Sequence, residues 1–164
     1  MLSDLLILLL DDASKSWAIT ALGDGHIDRI LGSFLQLQLT SNSGAAFNLA
    51  TSRTYFLTSF SALAILALLL LARRITPAHG ASWALPLGLA LGGIMGNLSD
   101  RIFRAPGIFR GSVIDWIRLP HWPTFNIADS SLVIAAIMTL YLVSSGKSPW
   151  ADENDITTGN GAAS

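Results

Sequence analysis

Asp115 and Asp129 bracket a proline-rich turn, Leu119-Pro120-His121-Trp122-Pro123. A turn of that composition can fold the segment before it back toward the segment after it, so two carboxylates far apart in the chain can share one site. Two carboxyls brought together where water is scarce cannot both ionise easily; one holds a proton while the other is a base. Such a pair activates water. The charged member takes a proton from a water molecule attacking a peptide carbonyl, the protonated member hydrogen-bonds the developing oxyanion, and a proton is later delivered to the leaving amine. The scheme requires no metal, cofactor or covalent intermediate.

Each candidate also has a plainer role. Asp115 lies in Val113-Ile114-Asp115-Trp116-Ile117, whose β-branched and aromatic neighbours favour a strand while a carboxylate does not; a surface strand with Asp115 paired to Arg118 or Arg110 is the alternative. Asp129 follows Asn126 by three residues, and an N-cap with an acid in the first turn accounts for both by helix capping alone. Asn97, Asp100 and Arg101, in Gly96-Asn97-Leu98-Ser99-Asp100-Arg101, either close a helix with local bonds or orient the carboxylates. Asp11 and Lys15 are four apart and share a helix face, where a structural ion pair neutralises both. Asn42 and Gly44 read as turn residues, although a loop asparagine beside the site could hold substrate backbone.

The elements that must carry these groups are apolar. With 51% hydrophobic and 13% charged residues, the chain falls among polytopic membrane proteins rather than soluble globules. The absence of cysteine removes thiol nucleophiles, disulfides and cysteine metal sites. His26, His79 and His121 are scattered in loops and form no ligand pair, which disfavours a metal centre; a serine peptidase finds no partner histidine either. Four segments approach the roughly 20 apolar residues that a membrane-spanning helix needs, about 5–22, 55–72, 83–98 and 127–143. The expected fold is therefore an α-helical membrane protein of four transmembrane helices forming one domain over residues 1–146. By composition, 147–164 is a disordered tail. The first segment lacks a basic leader and is interrupted by Asp11, Asp12 and Lys15, so it is read as a permanent helix.

Between the first two helices, Leu35, Leu37 and Leu39 alternate with Gln36, Gln38 and Thr40, a half-buried strand. Ser41-Asn42-Ser43-Gly44 supplies turn residues, and residues 46–49 resemble a return strand, together a small sheet at the membrane surface. Residues 73–80, broken by Pro77 and Gly80, make a tight connection between antiparallel helices. The distribution of arginines leaves the sidedness open. An ion-relaying transporter would spread its acids in depth along the helices, whereas here they gather toward one surface.

Five ordered blocks resemble the signal peptidase II family, the bacterial lipoprotein signal peptidases, over about residues 11–143. They are Asp11-Asp12-Ala13-Ser14-Lys15, Asn42-Ser43-Gly44-Ala45-Ala46-Phe47, Gly96-Asn97-Leu98-Ser99-Asp100-Arg101, Val113-Ile114-Asp115-Trp116 and Phe125-Asn126-Ile127-Ala128-Asp129. Asp12 stands where the family carries glutamine, Ser99 where it carries an apolar residue, and Trp116 where it carries phenylalanine. The resemblance implies an aspartic endopeptidase with Asp115 and Asp129 as its dyad, and with Asn42, Gly44, Asn97, Asp100, Arg101 and Asn126 around the site. Asn42 and Arg101 would touch substrate. It also implies four helices in the bacterial cytoplasmic (inner) membrane, both termini cytoplasmic, and a small extracytoplasmic β-sheet beside the active site. The implied partners are diacylglyceryl-modified prolipoproteins cut just before the lipidated cysteine, membrane lipids, and globomycin-type cyclic peptide inhibitors, with no nucleic acid.

Overall fold

A computed structural model describes residues 2–43, 50–75 and 77–149. In chain order the elements are α1 (Leu2–Ala21), β1 (Asp28–Leu31), β2 (Leu35–Asn42), α2 (Ala50–Ala72), α3 (Pro77–Phe103), β3 (Val113–Arg118) and α4 (Ile127–Ser144). The fold is mostly helical with one antiparallel sheet, ordered β1-β2-β3.

Helix α3 is central and packs against α1, α2 and α4. Glycine allows the close approach. A Cβ on Gly92 would stand 2.8 Å from the Asp4 carbonyl oxygen and from Ile7 Cβ on α1, one on Gly96 2.5 Å from Asp11 Oδ2, and one on Gly93 2.6 Å from the Ala128 carbonyl oxygen on α4. Small residues at helix contacts are how apolar helices gain packing where lipid removes any hydrophobic drive to associate. An apolar cluster of Trp83, Leu87 and Leu142, edged by Leu68, Leu71 and Ile75, closes the bundle at the end of α2.

Burial is inverted relative to a water-soluble bundle. Leu5, Leu6, Leu9 and Leu10 of α1, Phe56, Phe60, Leu63 and Leu66 of α2, and Ile137, Leu140 and Val143 of α4 face outward, while Asp11, Lys15, Asp100, Asp115 and Asn126 are buried. Apolar surface of that extent is stable against hydrocarbon and not against water. Among the described residues, two helices are long and apolar enough to cross a membrane, Thr54–Ala72 and Ile127–Ser144. The other two helices are long enough but carry charge, Asp4, Asp11, Asp12 and Lys15 in α1 and Asp100 and Arg101 in α3.

Three local expectations change. Helix α3 starts at Pro77 instead of near residue 83 and absorbs the second half of the expected 73–80 connection, because proline at the first helical position gives up an N–H that has no partner there anyway. Helix α2 begins at Ala50 and not near 55. Ser41 and Asn42 are not turn residues: β2 continues through them, opposite Ile114 and Val113, since a ladder partner outweighs their turn preference. The strand's other neighbour is β1, reached through Gly32 at φ +58°, a conformation glycine adopts without steric cost. The return strand expected at 46–49, and Gly44, lie outside the described residues, as does the tail beyond residue 149.

Candidate active site

Strand β3 places Asp115. Its side chains alternate between faces, and Val113 and Asp115 point inward. Asp115 is only 2% exposed, which overturns the surface ion pair with Arg118 or Arg110; Arg118 is bonded instead to Gln38, and an odd spacing in a strand puts it on the opposite face from Asp115. Asn42 is paired across the sheet with Val113. It is therefore diagonal to Asp115, within reach for a long polar side chain, and its Nδ2 donates to Asp115 Oδ2 at 3.0 Å.

The start of α4 places Asp129. Asn126 caps the helix: its Oδ1 accepts the Asp129 N–H at 2.9 Å, and Asp129 Oδ2 accepts the Asn126 N–H at 3.3 Å. The capping role weighed from sequence is thus present, and it has a further effect. With Oδ1 committed to the helix end, Nδ2 must point the other way, and it donates to Asp115 Oδ1 at 2.7 Å. Its remaining hydrogen faces Asn97 Oδ1 at 3.2 Å and the Ile114 carbonyl at 3.3 Å. The fully buried Asn126 is the link between the two aspartates: its side-chain amide joins the Asp115 carboxylate to the Asp129 N–H, and its backbone N–H meets the Asp129 carboxylate.

Helix α3 supplies the next layer. Asn97 Nδ2 donates to Asp129 Oδ1 at 2.8 Å, and Asn97 Oδ1 accepts from Lys15 Nζ at 3.1 Å. Asp100 accepts the Ile114 N–H at 3.1 Å, pinning β3 to α3. It also binds Lys15 Nζ at 2.8 Å and the Arg104 side chain. Lys15 and Asp11 are in contact at 2.6 Å, and Asp11 Oδ1 accepts the Ala128 N–H at 2.9 Å, one of the donors that an α-helix leaves open in its first turn. Trp17 and Trp116 meet edge to face with centroids 5.5 Å apart, which docks α1 on β3.

Burial is the main influence on Asp115 and pushes its carboxyl up to about 6. Asn42 and Asn126 pull against it by hydrogen bonding the anion, and the negative charge of Asp129 adds to the rise. Arg101 lies in the field of Asp115, Asp100 and Asp129, and its Nη1 is buried with no hydrogen-bond partner among the described residues. With Asn97 and Ser61 it forms the polar part of a cavity of about 180 Å³ otherwise lined by Leu57, Phe60, Ala64, Ile94 and Leu132. A second apolar cavity of about 310 Å³ opens beside Asp129, between Leu119, Trp122 and Phe125 on one side and Val133 and Ile134 on the other. A larger one, about 530 Å³, lies between α1, α2 and α3 and has none of the clustered acids in its wall.

Of the residues singled out from sequence, Asp11, Lys15, Asn42, Asn97, Asp100, Asp115, Asn126 and Asp129 form one connected set of contacts, with Arg101 at its edge; Gly44 is outside the described residues. Arg104 was missed. It is bonded to Asp100 and lies 3.4 Å from Asp12, and the spacing of four that pairs Asp11 with Lys15 equally pairs Asp100 with Arg104. The contacts of Lys15 with Asp100 and Asn97, on another helix, had no sequence signal.

The model of the signal peptidase (SPase) II family matches residues 4–144. The chain is 41% identical over 136 residues to a lipoprotein signal peptidase of Mycobacterium leprae, which is 83% of this chain and 66% of that protein. It is 40% identical over 141 residues to one of Streptomyces coelicolor, 86% of this chain and 68% of the relative. It thus spans about two thirds of the length of these relatives. A solved bacterial membrane enzyme superposes with a TM-score of 0.75 at 25% identity, covering 87% of this chain and 90% of that one. A helical bundle whose interior is charged, a sheet that buries an aspartate against a capped helix, and a family match over nearly the whole described chain converge: the chain belongs to the signal peptidase II family.

Proposed function

We propose that the protein is a membrane aspartic endopeptidase that removes the signal peptide from diacylglyceryl-modified prolipoproteins, cutting just before the lipidated cysteine. The observation that carries this reading is the single Asn126 side chain bonded at one end to Asp115 and at the other to the backbone of Asp129. Asp115, desolvated and raised, is the protonated member of the dyad; Asp129, at the first turn of α4, is the base. A water between them loses its proton to Asp129 and attacks the scissile carbonyl, whose oxygen accepts the Asp115 proton as a hydrogen bond. Collapse of the tetrahedral intermediate expels the cysteine amine, which receives a proton from the dyad.

All four helices cross the bacterial cytoplasmic membrane in this reading, residues 1–146 form one domain, and the sheet lies at the extracytoplasmic face. The support for α1 and α3 as spans is their length, 20 and 27 residues, against about 1.5 Å of rise per residue, with Asp11, Lys15 and Asp100 turned inward. A lipid-anchored cysteine holds its own scissile bond at the membrane surface, so a dyad at that depth gains proximity before any specific contact forms. Arg101 and Asn42 bind substrate backbone, and a globomycin-type cyclic peptide inhibits by occupying the same site.

The test is incubation of the purified protein with diacylglyceryl-modified and unmodified precursor. Cleavage of the first alone is expected, and its loss in Asp115→Asn and in Asp129→Asn while both variants stay folded. Near-normal turnover by either variant would remove that residue from the dyad.

A further inference from the structure

Lys15 is the most completely buried cation among the described residues, with no exposed surface, and its ammonium has three close polar neighbours. Two are ionic, to Asp11 and Asp100. The third, to Asn97 Oδ1, is not needed for charge balance and has a directional consequence. An asparagine amide presents an acceptor on one side and donors on the other, and the side facing a neighbour is decided by what its far end meets. An ammonium has only donors, so together with Asn126 Nδ2, which donates to the same oxygen at 3.2 Å, it turns the Asn97 oxygen toward Lys15 and the nitrogen toward Asp129 Oδ1. Were the amide reversed, the Asn97 oxygen would oppose a carboxylate oxygen and its NH₂ would oppose an ammonium.

Resting on the function proposed above, we infer that Lys15 is a positioning residue for the reaction: by holding the Asn97 amide it keeps an N–H aimed at Asp129 Oδ1 and so keeps that carboxylate oriented toward the attacking water. The role extends beyond pairing with Asp11. The charged groups around Lys15 are Asp11 on α1, Asp100 and the nearby Arg101 on α3, Arg104 just beyond the end of α3 and bonded to Asp100, and Asp115 on β3, with Asp129 on α4 reached through Asn97. Removing the lysine alone would leave Asp11 and Asp100 buried without their cation, so the informative variants are neutralised throughout the cluster.

Asp11→Asn and Asp100→Asn are combined with Lys15→Met in one variant and with Lys15→Gln in another. Both lack every charge of the trio, and they differ in one group able to donate to Asn97 Oδ1. The Met variant is expected to lose about a hundredfold in kcat relative to the Gln variant, with KM within about twofold, because the displaced group acts on the chemical step. The acid limb of its kcat profile should move to higher pH by about one unit. A second readout does not depend on cleavage: carboxyl signals of ¹³C-labelled aspartate, followed against pH, should titrate higher in the Met variant for the dyad. Equal kcat values and equal carboxyl titrations in two folded variants would overturn the proposal. Wild-type protein that leaves the lipidated precursor intact would instead overturn the function on which it rests, and the carboxyl titrations would still decide the role of Lys15.

Discussion

Asp115→Asn should make the protein more stable at neutral pH while abolishing its activity. A carboxyl of ordinary value 3.8 that rises to about 6 in the folded state binds its proton more tightly folded than unfolded. Below pH 4 both states are protonated and the group contributes no difference. As pH climbs from about 4 to about 6 the unfolded chain ionises freely while the folded one resists, so stability falls across that window and levels off above it. At about 1.4 kcal/mol per tenfold change in proton affinity, the full cost above pH 6 is about 3 kcal/mol. Asparagine carries none of it. Its carbonyl can accept the Asn126 Nδ2 hydrogen that Asp115 Oδ1 accepts at 2.7 Å, and its NH₂ then faces the Asn42 amide, which can turn over to offer oxygen. For a chain of this length, about 3 kcal/mol corresponds to a rise in unfolding midpoint of roughly 6–12 °C. The assay is thermal unfolding in detergent, followed by tryptophan fluorescence from pH 4 to pH 8 for both proteins. The two midpoints should coincide near pH 4 and diverge up to pH 6. A separation that stays constant with pH, or a variant that melts below wild type at pH 8, would refute burial as the cause of the raised carboxyl.

Two further positions probe the scaffold. Gly96→Ala puts a methyl group 2.5 Å from Asp11 Oδ2 and 3.3 Å from Ala128 Cβ, which should cost about 1–3 kcal/mol of stability by overpacking and lower activity with it; an unchanged melt would mean that α1 and α3 can separate freely. Asn126→Ala removes the cap of α4 and strips a buried donor from Asp115, together about 2–4 kcal/mol, whereas Asn126→Ser keeps a cap and should recover about 1 kcal/mol of stability without recovering turnover. Equal activity for the Asn126→Ser variant and the wild-type protein, read in the same precursor assay, would show that the Asn126–Asp115 bond does not matter to the chemistry.

The helices are legible because hydrophobic length is a one-dimensional property: the apolar stretch predicts a helix over 127–143, and α4 runs Ile127–Ser144, bounded by a capping asparagine that any sequence reading would find. Strand β3 is equally visible from Val113 and Ile114. What cannot be read is partnership. Leu35–Asn42 announces a strand by its alternation, but its neighbours are Asp28–Leu31 and Val113–Arg118, the second far along the chain, and a local turn signal at Ser41 and Asn42 points elsewhere. Lys15 behaves similarly. Its pairing with Asp11 follows from helical periodicity, whereas its contacts with Asp100 and Asn97 depend on how closely Gly92 and Gly96 let α1 approach α3. Short-range geometry is written in spacing; which faces meet is written in packing, and only in three dimensions.

The cluster's charge explains why these contacts belong together. The clustered acids are Asp11, Asp100, Asp115 and Asp129, and the cations are Lys15, Arg101 and Arg104. Asp12, at 66% side-chain exposure, is solvated and meets the cluster at its edge, 3.4 Å from Arg104. Four acids against three bases leave one uncompensated negative charge, and a net charge held in a poorly solvated interior is expensive. One proton bound among the acids removes it. Asp115 is where burial and the negative charge of Asp129 favour holding that proton. In the function proposed above, the proton that Asp115 holds up to about pH 6 both removes this charge and serves as the hydrogen-bond donor to the scissile carbonyl.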